Sequence, residues 1–274
     1  MKKYKIISLI ILTSFISCKK EDIIITPTYM SIENIILDEN SSHNITDAWV
    51  YINDNLQGVY ELPANFPILA TGKQKLRVRA GVKDNGISAT RIPYPFYSSY
   101  IIEELEFQED TTILITPTVK YLEDIIFNEH SEDFDGNGLN LEIDSTTFSI
   151  ENTESLDGNY GVITLSDSIL SAEVTTQEIE SLPQEGANIY LELDYKCDTE
   201  FLIGTYVNFP QLSVLKKELV WITPKEDWNK IYVNLTTTIS EAVGAESFKI
   251  FIAMQRDFTM DKNTIDFDNF KLVY

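Results

Sequence analysis

The sequence has 274 residues, and 43 acidic against 21 basic side chains give it a formal net charge of −22 at pH 7. This balance argues against binding to nucleic acid or to anionic lipid head groups, because both repel an acidic surface. With only two cysteines, the chain is not a disulfide-built scaffold either.

The first 17 residues differ in composition from the rest of the chain. Three lysines among the first five residues precede an apolar run at 6–16. This is the pattern of a secretory signal, and the run is too short to span a bilayer as a helix. Ser17 is the small residue that signal peptidases need, and Cys18 follows it directly. The segment 1–17 resembles the signal peptides of bacterial lipoproteins, in which the cysteine is acylated and becomes the new first residue.

The match to that pattern is loose. Phe15 and Ile16 stand where Leu and a small residue are usual, which is typical of Bacteroidetes lipoproteins. The alternative is an ordinary signal peptide followed by an incidental cysteine, but bulky Phe15 fits its small-x-small cleavage site poorly. The resemblance therefore implies cleavage before Cys18, lipid on that residue and a membrane anchor.

Residues 18–30 are predicted to form a lipidated tether. The KKED after Cys18 resembles the Lys-then-acidic signal that sends many Bacteroidetes lipoproteins to the outer face of the outer membrane, and the alternative is a solvated linker. If Cys18 carries lipid, Cys197 has no disulfide partner, and its place at the end of an alternating strand predicts a half-buried hydrophobe. We expect an exported outer-membrane lipoprotein that is exposed at the cell surface.

From residue 31 onward the pattern predicts strands, since no stretch keeps a 3.6-residue apolar period for three turns. Apolar and polar residues alternate at 189–196, 231–236 and 248–254, which predicts strands with one face on a core and one in water. A single helical turn is a candidate at 175–183. Turn-forming Asn, Asp and Gly separate the strands, at 53–55, 83–86 and 157–159. The sequence predicts an all-β protein with two β-sandwich domains, at 31–119 and 120–274.

The first domain, 31–119, resembles a small PEGA-type β-sandwich, a surface module in which a hairpin is followed by a strand that starts with Gly. The matching positions are Gly58, Pro63, Gly72 and Gly81. We expect them to act as turn formers, through positive or fixed φ where the chain reverses. The resemblance implies a structural spacer.

Aromatic residues crowd around two prolines in the segment RIPYPFYSSY, at 91–100. Pro93 and Pro95 forbid a regular central strand. Tyr94 and Tyr97 are therefore candidate contacts of an exposed patch that binds a partner or glycan. The alternative, which the pattern favours, is a packed segment that seals the first sandwich or docks the second.

The second domain, 120–274, resembles the galactose-binding-like jelly roll of many carbohydrate-binding modules. The resemblance rests on the DWNKIYVNL strand at 227–235 and on the C-terminal strand IDFDNFKLVY. It implies a module that displays a binding surface for a glycan or protein ligand. Trp221 and Tyr206 are candidate sugar contacts because aromatic faces meet the C–H groups of a pyranose, whereas Trp228 is expected to be a core residue.

A calcium site is a further candidate. Oxygen ligands at Asp133, Asp135 and Asn137 occupy positions 1, 3 and 5 of a twelve-residue loop with Asp144 at position 12. Position 12 is usually a bidentate Glu and the flanks are strands, so an EF-hand is not expected, and a Gly-rich acidic turn is the alternative. The jelly-roll resemblance implies a structural calcium held by Asp133 or Asp135 together with Asp266 or Asp268.

Motifs of catalysis are absent from the sequence. His43 and His130 lack the spacing of a zinc site, and no nucleophile elbow, P-loop or dinucleotide fingerprint occurs. We expect a non-catalytic binding protein. Two alternatives stay open: a structural or accessory subunit of an outer-membrane assembly, and a jelly-roll glycan hydrolase or lyase, whose carboxylate pair is defined only in space.

Overall fold

The computed structural model describes residues 26–38, 41–143, 146–166 and 168–274. These residues form an all-β protein, which confirms the predicted fold class. Helix α1 spans Thr236–Glu241. No helix among the described residues is long and apolar enough to cross a membrane. The helical turn expected at 175–183 is wrong, because Ile179 and Glu180 pair with a neighbouring strand instead.

The N-terminal part of the described chain contains three sheets. A five-stranded sheet has the order β4-β3-β6-β7 with β8 paired to β6, and it faces a three-stranded sheet β5-β1-β9 and a two-stranded sheet β10-β2. We call this part the N-terminal sandwich. Its strands are β1 (Thr28–Ile32), β2 (Ile36–Leu37), β3 (Asp47–Ile52), β4 (Asn55–Glu61), β5 (Ala64–Ile68), β6 (Gly72–Lys83), β7 (Arg91–Pro93), β8 (Tyr100–Phe107), β9 (Thr112–Ile115) and β10 (Thr118–Val119).

The C-terminal part contains two sheets that enclose a second core, and we call it the C-terminal sandwich. A six-stranded sheet has the order β11-β14-β20-β17-β18 with β15 paired to β20, and a five-stranded sheet has the order β12-β13-β21-β16-β19. Its strands are β11 (Leu141–Glu142), β12 (Phe148–Glu151), β13 (Tyr160–Ser166), β14 (Ser171–Thr176), β15 (Ile179–Glu180), β16 (Tyr190–Cys197), β17 (Phe201–Asn208), β18 (Leu215–Ile222), β19 (Lys225–Asn234), β20 (Ser247–Gln255) and β21 (Lys262–Val273).

The predicted turns form where the sequence places them. Asn53 and Asp54 both have positive φ in the two-residue connection of β3 and β4, the geometry that matches the twist of a hairpin. The glycines of the PEGA-type pattern behave differently from one another. Gly72 has φ of +66° and starts β6, as expected, but the turn role is wrong for Gly58 and Gly81. Both lie within strands, where a Cβ would collide with an aromatic side chain.

The core of the N-terminal sandwich extends onto one sheet of the C-terminal sandwich. Tyr190, Tyr232 and Val273 lie on the five-stranded sheet of the C-terminal sandwich. All three belong to the core of the N-terminal sandwich. Backbone groups join the two parts as well, since the Asn85 N–H donates to the Tyr232 carbonyl over 2.9 Å. The outer face of the five-stranded sheet is therefore covered where β16 and β19 meet the N-terminal sandwich.

This packing buries charged residues that the alternation placed in water. Glu192 and Asp194 of β16 are 0% and 1% exposed, so the predicted solvent face of that strand is wrong. The Lys230 Nζ lies 3.2 Å from Glu192 Oε2 and 3.7 Å from Asp194 Oδ2. The Tyr121 hydroxyl donates to Glu192 from 2.8 Å. Buried carboxylates need such partners because desolvation of an unpaired charge is costly.

Candidate ligand-binding site

The candidate contacts in the segment 91–100 are buried between the two sandwiches. Tyr94 and Tyr97 are 1% and 3% exposed. The Tyr94 hydroxyl donates to Glu192 Oε1 over 2.7 Å, and the Tyr97 hydroxyl lies 3.1 Å from that of Tyr232. The prediction that Tyr94 and Tyr97 contact a ligand at the surface is wrong. The docking interpretation of this segment is confirmed, because edge-to-face aromatic packing links Tyr94 to Tyr190 across the junction.

The six-stranded sheet leaves its outer face clear of that junction. Among the described residues, none from this sheet belongs to the N-terminal core. We call this surface the open face. In β17, Phe201, Ile203 and Val207 point into the C-terminal core. Because side chains alternate along a strand, Leu202, Gly204 and Tyr206 occupy the open face.

Trp221 and Tyr206 lie on this same face. Trp221 is opposite Leu202 in the β17–β18 pair, and Lys216 is opposite Tyr206. Leu202 and Tyr206 are four positions apart in β17, so the two aromatic positions lie about 13 Å apart along the strand. Trp221 is 44% exposed and Tyr206 is half-buried. The structure brings together the two aromatic candidates of the C-terminal domain, although sugar binding by them stays a prediction.

A β-bulge turns Trp221 outward. Simple alternation along β18 places Trp221 on the same face as Leu219, but the register shifts between Ile203 and Gly204. Both Leu219 and Val220 pack against the core as a result. A bulge adds one residue to one strand and so reverses the faces that follow it. The exposed position of Trp221 depends on this bulge, which alternation does not reveal.

Tyr206 belongs to a charged network on the open face. Its hydroxyl donates to Glu173 Oε1 over 2.6 Å, and Lys216 Nζ lies 2.6 Å from Glu173 Oε2. Lys216 also stands 4.3 Å from the centre of the Phe251 ring. Burial and the hydrogen bond to Glu173 raise the pKa of Tyr206. The hydroxyl therefore stays protonated at neutral pH and remains a hydrogen-bond donor.

Several residues of the open face carry no sequence motif. Phe251 is fully buried on it, against Gly204, where a Cβ would collide with the Phe251 ring. Lys249 Nζ and Glu142 Oε2 form an ion pair at 2.7 Å. The only signal in the sequence is the charged run before Trp221, and a charged run usually marks any solvated face. The strand order places these residues together.

The second tryptophan of this region is not a core residue. Trp228 was expected to be buried, but it lies half-buried at the surface, where its Nε1–H donates to the Glu154 carbonyl over 2.9 Å. Its ring contacts that of Tyr160 at 5.3 Å and lies 5.3 Å from Lys196 Nζ. These partners belong to the five-stranded sheet of the C-terminal sandwich, whereas the open face belongs to the six-stranded sheet.

The acidic loop predicted for calcium lies ahead of β11. The Asp135 N–H donates to Asp133 Oδ1 over 3.2 Å, and Asp135 Oδ1 accepts from the Asn159 backbone N–H over 2.9 Å. Asn137 lines a cleft of about 420 Å³ beside Asp133. Asp144 lies outside the described residues, as does Cys18.

The two C-terminal aspartates have different surroundings. Asp268 is 1% exposed, and its pKa is raised to about 7, first by burial and then by the charges of Asp194, Asp135 and Asp133. Asp266 instead pairs with Lys196 at 3.2 Å. Its candidate role as a calcium ligand stays a prediction.

The described side chains do not form a metal-coordination site in this arrangement. No group of three or more His, Cys, Asp or Glu among them is arranged to hold an ion. Asp133, Asp135 and Asp268 interact electrostatically but do not reach that arrangement. Calcium binding stays a prediction.

Cys197 has the properties of a structural cysteine. It is a free, buried thiol, as the half-buried hydrophobe interpretation predicts. Burial is the main cause that raises its pKa to about 11. The thiolate is the nucleophilic form, so this residue is unreactive at neutral pH.

Comparisons with known proteins find similarity in structure only. No protein-family model matches the sequence, and no curated protein matches it. The CBM22-2 xylan-binding domain of Paenibacillus barcinonensis Xyn10C is 14% identical, with a TM-score of 0.40 over 52% of this chain and 96% of that one. The family 11 carbohydrate-binding module of Clostridium thermocellum, solved with a mixed-linked tetrasaccharide, is 15% identical, with a TM-score of 0.36 over 54% and 94%.

Part of an enzyme is similar at the same level. An exo-β-agarase is 14% identical, with a TM-score of 0.37 over 53% of this chain and 25% of that one. Similarities this distant do not assign a ligand or an activity, so both must follow from the chain's own surface. The chain is an all-β protein of packed β-sandwich, jelly-roll-type architecture.

Proposed function

We propose that this protein is an exported, lipid-anchored binding protein whose open face contacts a glycan. The observation that supports the proposal best is the position of Trp221 and Tyr206 on one face that the N-terminal sandwich leaves clear. Aromatic rings supply apolar contact for a sugar ring, and the Glu173, Lys216 and Tyr206 network supplies donors and acceptors for its hydroxyl groups.

The anchor belongs to the same proposal. Lipid on Cys18 would precede the first described strand, which begins at Thr28, by about ten residues. An extended segment of that length reaches about 35 Å. The sandwiches would therefore stand clear of the membrane at the end of a short tether, on the outer surface of the outer membrane.

Binding without catalysis is the simplest account of the open face. Glu173 and Glu142 are each paired with a lysine there, at 2.6 and 2.7 Å. A glycosidase needs one carboxyl group that is protonated and one that is free, at a defined separation. Both carboxylates already have a lysine partner, so neither is the free group that this chemistry needs. These pairs are suited to hydrogen bonding with hydroxyl groups.

The test is affinity electrophoresis and a glycan array with the mature chain lacking Cys18. Trp221→Ala should weaken binding of any retained glycan at least tenfold, which corresponds to about 1.4 kcal/mol. Trp228→Ala is the matched control, since it removes a half-buried tryptophan from the other sheet. Equal effects of the two substitutions, or no retention by plant, host or bacterial glycans, would contradict the proposal.

The two alternative functions, an accessory subunit and a glycan hydrolase or lyase, predict different results with the same purified protein. A structural or accessory subunit should co-purify with a stoichiometric partner from detergent extracts and bind no glycan. A hydrolase or lyase should release reducing ends or unsaturated products from the retained glycan. Calcium, proposed as a structural cofactor near Asp133, Asp135 and Asp268, is tested by chelation as described in the Discussion.

A further inference from the structure

A second concave site lies at the junction of the two sandwiches. It has a volume of about 440 Å³, which suits one or two sugar rings. The turn between β6 and β7 forms one wall, with Lys83, Asn85 and Ser88. The end of β18 and the start of β19 form the other, with Trp221, Lys225 and Asn229. Neither sandwich encloses this cleft alone.

The walls of the cleft are held in place by hydrogen bonds. The Asn85 N–H donates to the Tyr232 carbonyl over 2.9 Å, and the Asn234 N–H donates to Asn85 Oδ1 over 2.8 Å. Gly86, with φ of +69°, closes the turn against the Ile231 side chain. A site whose walls are fixed before binding loses less entropy when a ligand enters.

The charge of the cleft is opposite to that of the protein. Its lining contains Lys83, Lys225 and Lys230 and no Asp or Glu, in a chain of net charge −22. Lys230 is neutralised by Glu192 and Asp194. The ion pairs found among the described residues include neither Lys83 nor Lys225.

The nearest acidic residue of the turn faces elsewhere. Asp84 Oδ1 accepts a hydrogen bond from the Tyr190 hydroxyl at 3.1 Å, in the sandwich junction. Asp198 and Glu226, which line a neighbouring cleft with Lys225, do not line this one. A local positive site is therefore compatible with the acidic surface.

We propose that this cleft binds an anionic saccharide unit, a sugar that bears a carboxylate or a sulfate. Trp221 packs against the ring, while Lys83 and Lys225 pair with the anionic group from opposite walls. Asn85 and Asn229 lie within the cleft to meet hydroxyl groups. This inference rests on the proposed function. Because Trp221 belongs to both the open face and the cleft, a glycan bound along the open face can have its terminal sugar in the cleft.

The experiment compares three probes on the mature chain lacking Cys18: trigalacturonic acid, a monosulfated galactan trisaccharide and neutral galactotriose. Affinity is measured by isothermal titration at 50 and 500 mM NaCl. We expect one or both anionic probes to bind at least tenfold more tightly than the neutral one at low salt, with the preference reduced at high salt. The probe that binds identifies the group as a uronate or a sulfate.

Paired charge variants separate the cleft from net charge. Lys83→Gln with Lys225→Gln should abolish the anionic preference, and any loss of neutral binding should be smaller than the loss of anionic binding. The control is Lys73→Gln with Lys120→Gln, which removes the same charge from exposed lysines paired with Glu104 and Glu123. Thermal melting establishes that each variant is folded.

The outcomes distinguish the two proposals. Neutral binding that Trp221→Ala weakens, without an anionic preference or an effect of the cleft substitutions, overturns the cleft proposal alone. No binding by any probe, together with a silent glycan array, overturns both. Equal loss of anionic binding in the cleft variant and the control variant also overturns the cleft proposal, because it shows a long-range effect of net charge.

Discussion

Replacement of Asp268 by Asn should stabilise the protein above neutral pH in the absence of calcium. Asp268 is 1% exposed and lies opposite Asp194 in the β16–β21 pair. The substitution removes a charge and keeps the size of the side chain. Asparagine Oδ1 also retains the acceptor that the Asn269 N–H uses at 2.6 Å. The variant therefore isolates the cost of the buried charge.

The magnitude follows from the pKa of Asp268, which burial and three neighbouring carboxylates raise from 3.8 to about 7. The folded state then binds the proton more tightly than the unfolded state, so stability falls as pH rises from about 4 to about 7. At about 1.4 kcal/mol per pH unit, the penalty is about 4 kcal/mol at pH 8 and about 1.6 kcal/mol at pH 5.

The assay is urea unfolding of the mature chain at pH 5 and pH 8 with EDTA present. We expect Asp268→Asn to raise the free energy of unfolding at pH 8, by about 2–4 kcal/mol, and to gain less at pH 5. Asp257→Asn is a control of opposite sign. Hydrogen bonds from Thr259 lower the pKa of Asp257, so its loss should destabilise the protein slightly near neutral pH.

A less stable Asp268→Asn protein at pH 8 in EDTA would refute this reasoning. Calcium changes the sign of the effect if the ion binds here. A cation next to Asp133, Asp135 and Asp268 would compensate their charges and stabilise the native carboxylate. At saturating calcium the asparagine variant should then be the less stable of the two proteins, so one pair of titrations tests both ideas.

Four further predictions concern the junction, the open face and the metal. Tyr121→Phe removes a donor to buried Glu192 and should cost about 1–3 kcal/mol in urea unfolding, and Lys230→Met should cost about 3–5 kcal/mol because it leaves that carboxylate without its cation. Gly204→Ala forces a methyl group into Phe251 and should lower the melting temperature and weaken glycan binding together. EDTA should lower the melting temperature if the folded protein binds calcium, and an unchanged value would remove the calcium prediction.

The fold class was predictable because it depends on local patterns. Period-two alternation with turn residues between the strands specifies β-structure, and the positive φ values of Asn53 and Asp54 are what a tight hairpin demands. The candidate site was predictable only in part. Trp221 and Tyr206 were recognisable as large aromatic residues, but a one-residue bulge decides which face Trp221 occupies.

The residues of the sandwich junction show the limit of such reasoning. Glu192 and Asp194 alternate with a buried row and look solvated, yet contacts with residues about 70 to 150 positions away bury them. The pattern around Tyr94 favoured a packed segment over a surface patch, but it did not show which sheet that segment would pack against. Alternation defines two faces of a strand, but it does not say which of them another sheet will cover.

The sequence by itself determined the all-β architecture, the places of the hairpin turns and the absence of catalytic motifs, and it predicts the anchor at Cys18. These properties follow from the spacing of residues close together in the chain. Only the tertiary structure decided that the N-terminal sandwich covers the five-stranded sheet of the C-terminal sandwich. It alone also showed that the open face carries Trp221 and Tyr206 and that a basic cleft forms between the sandwiches. These depend on strand order and on packing between distant segments, which local patterns do not encode.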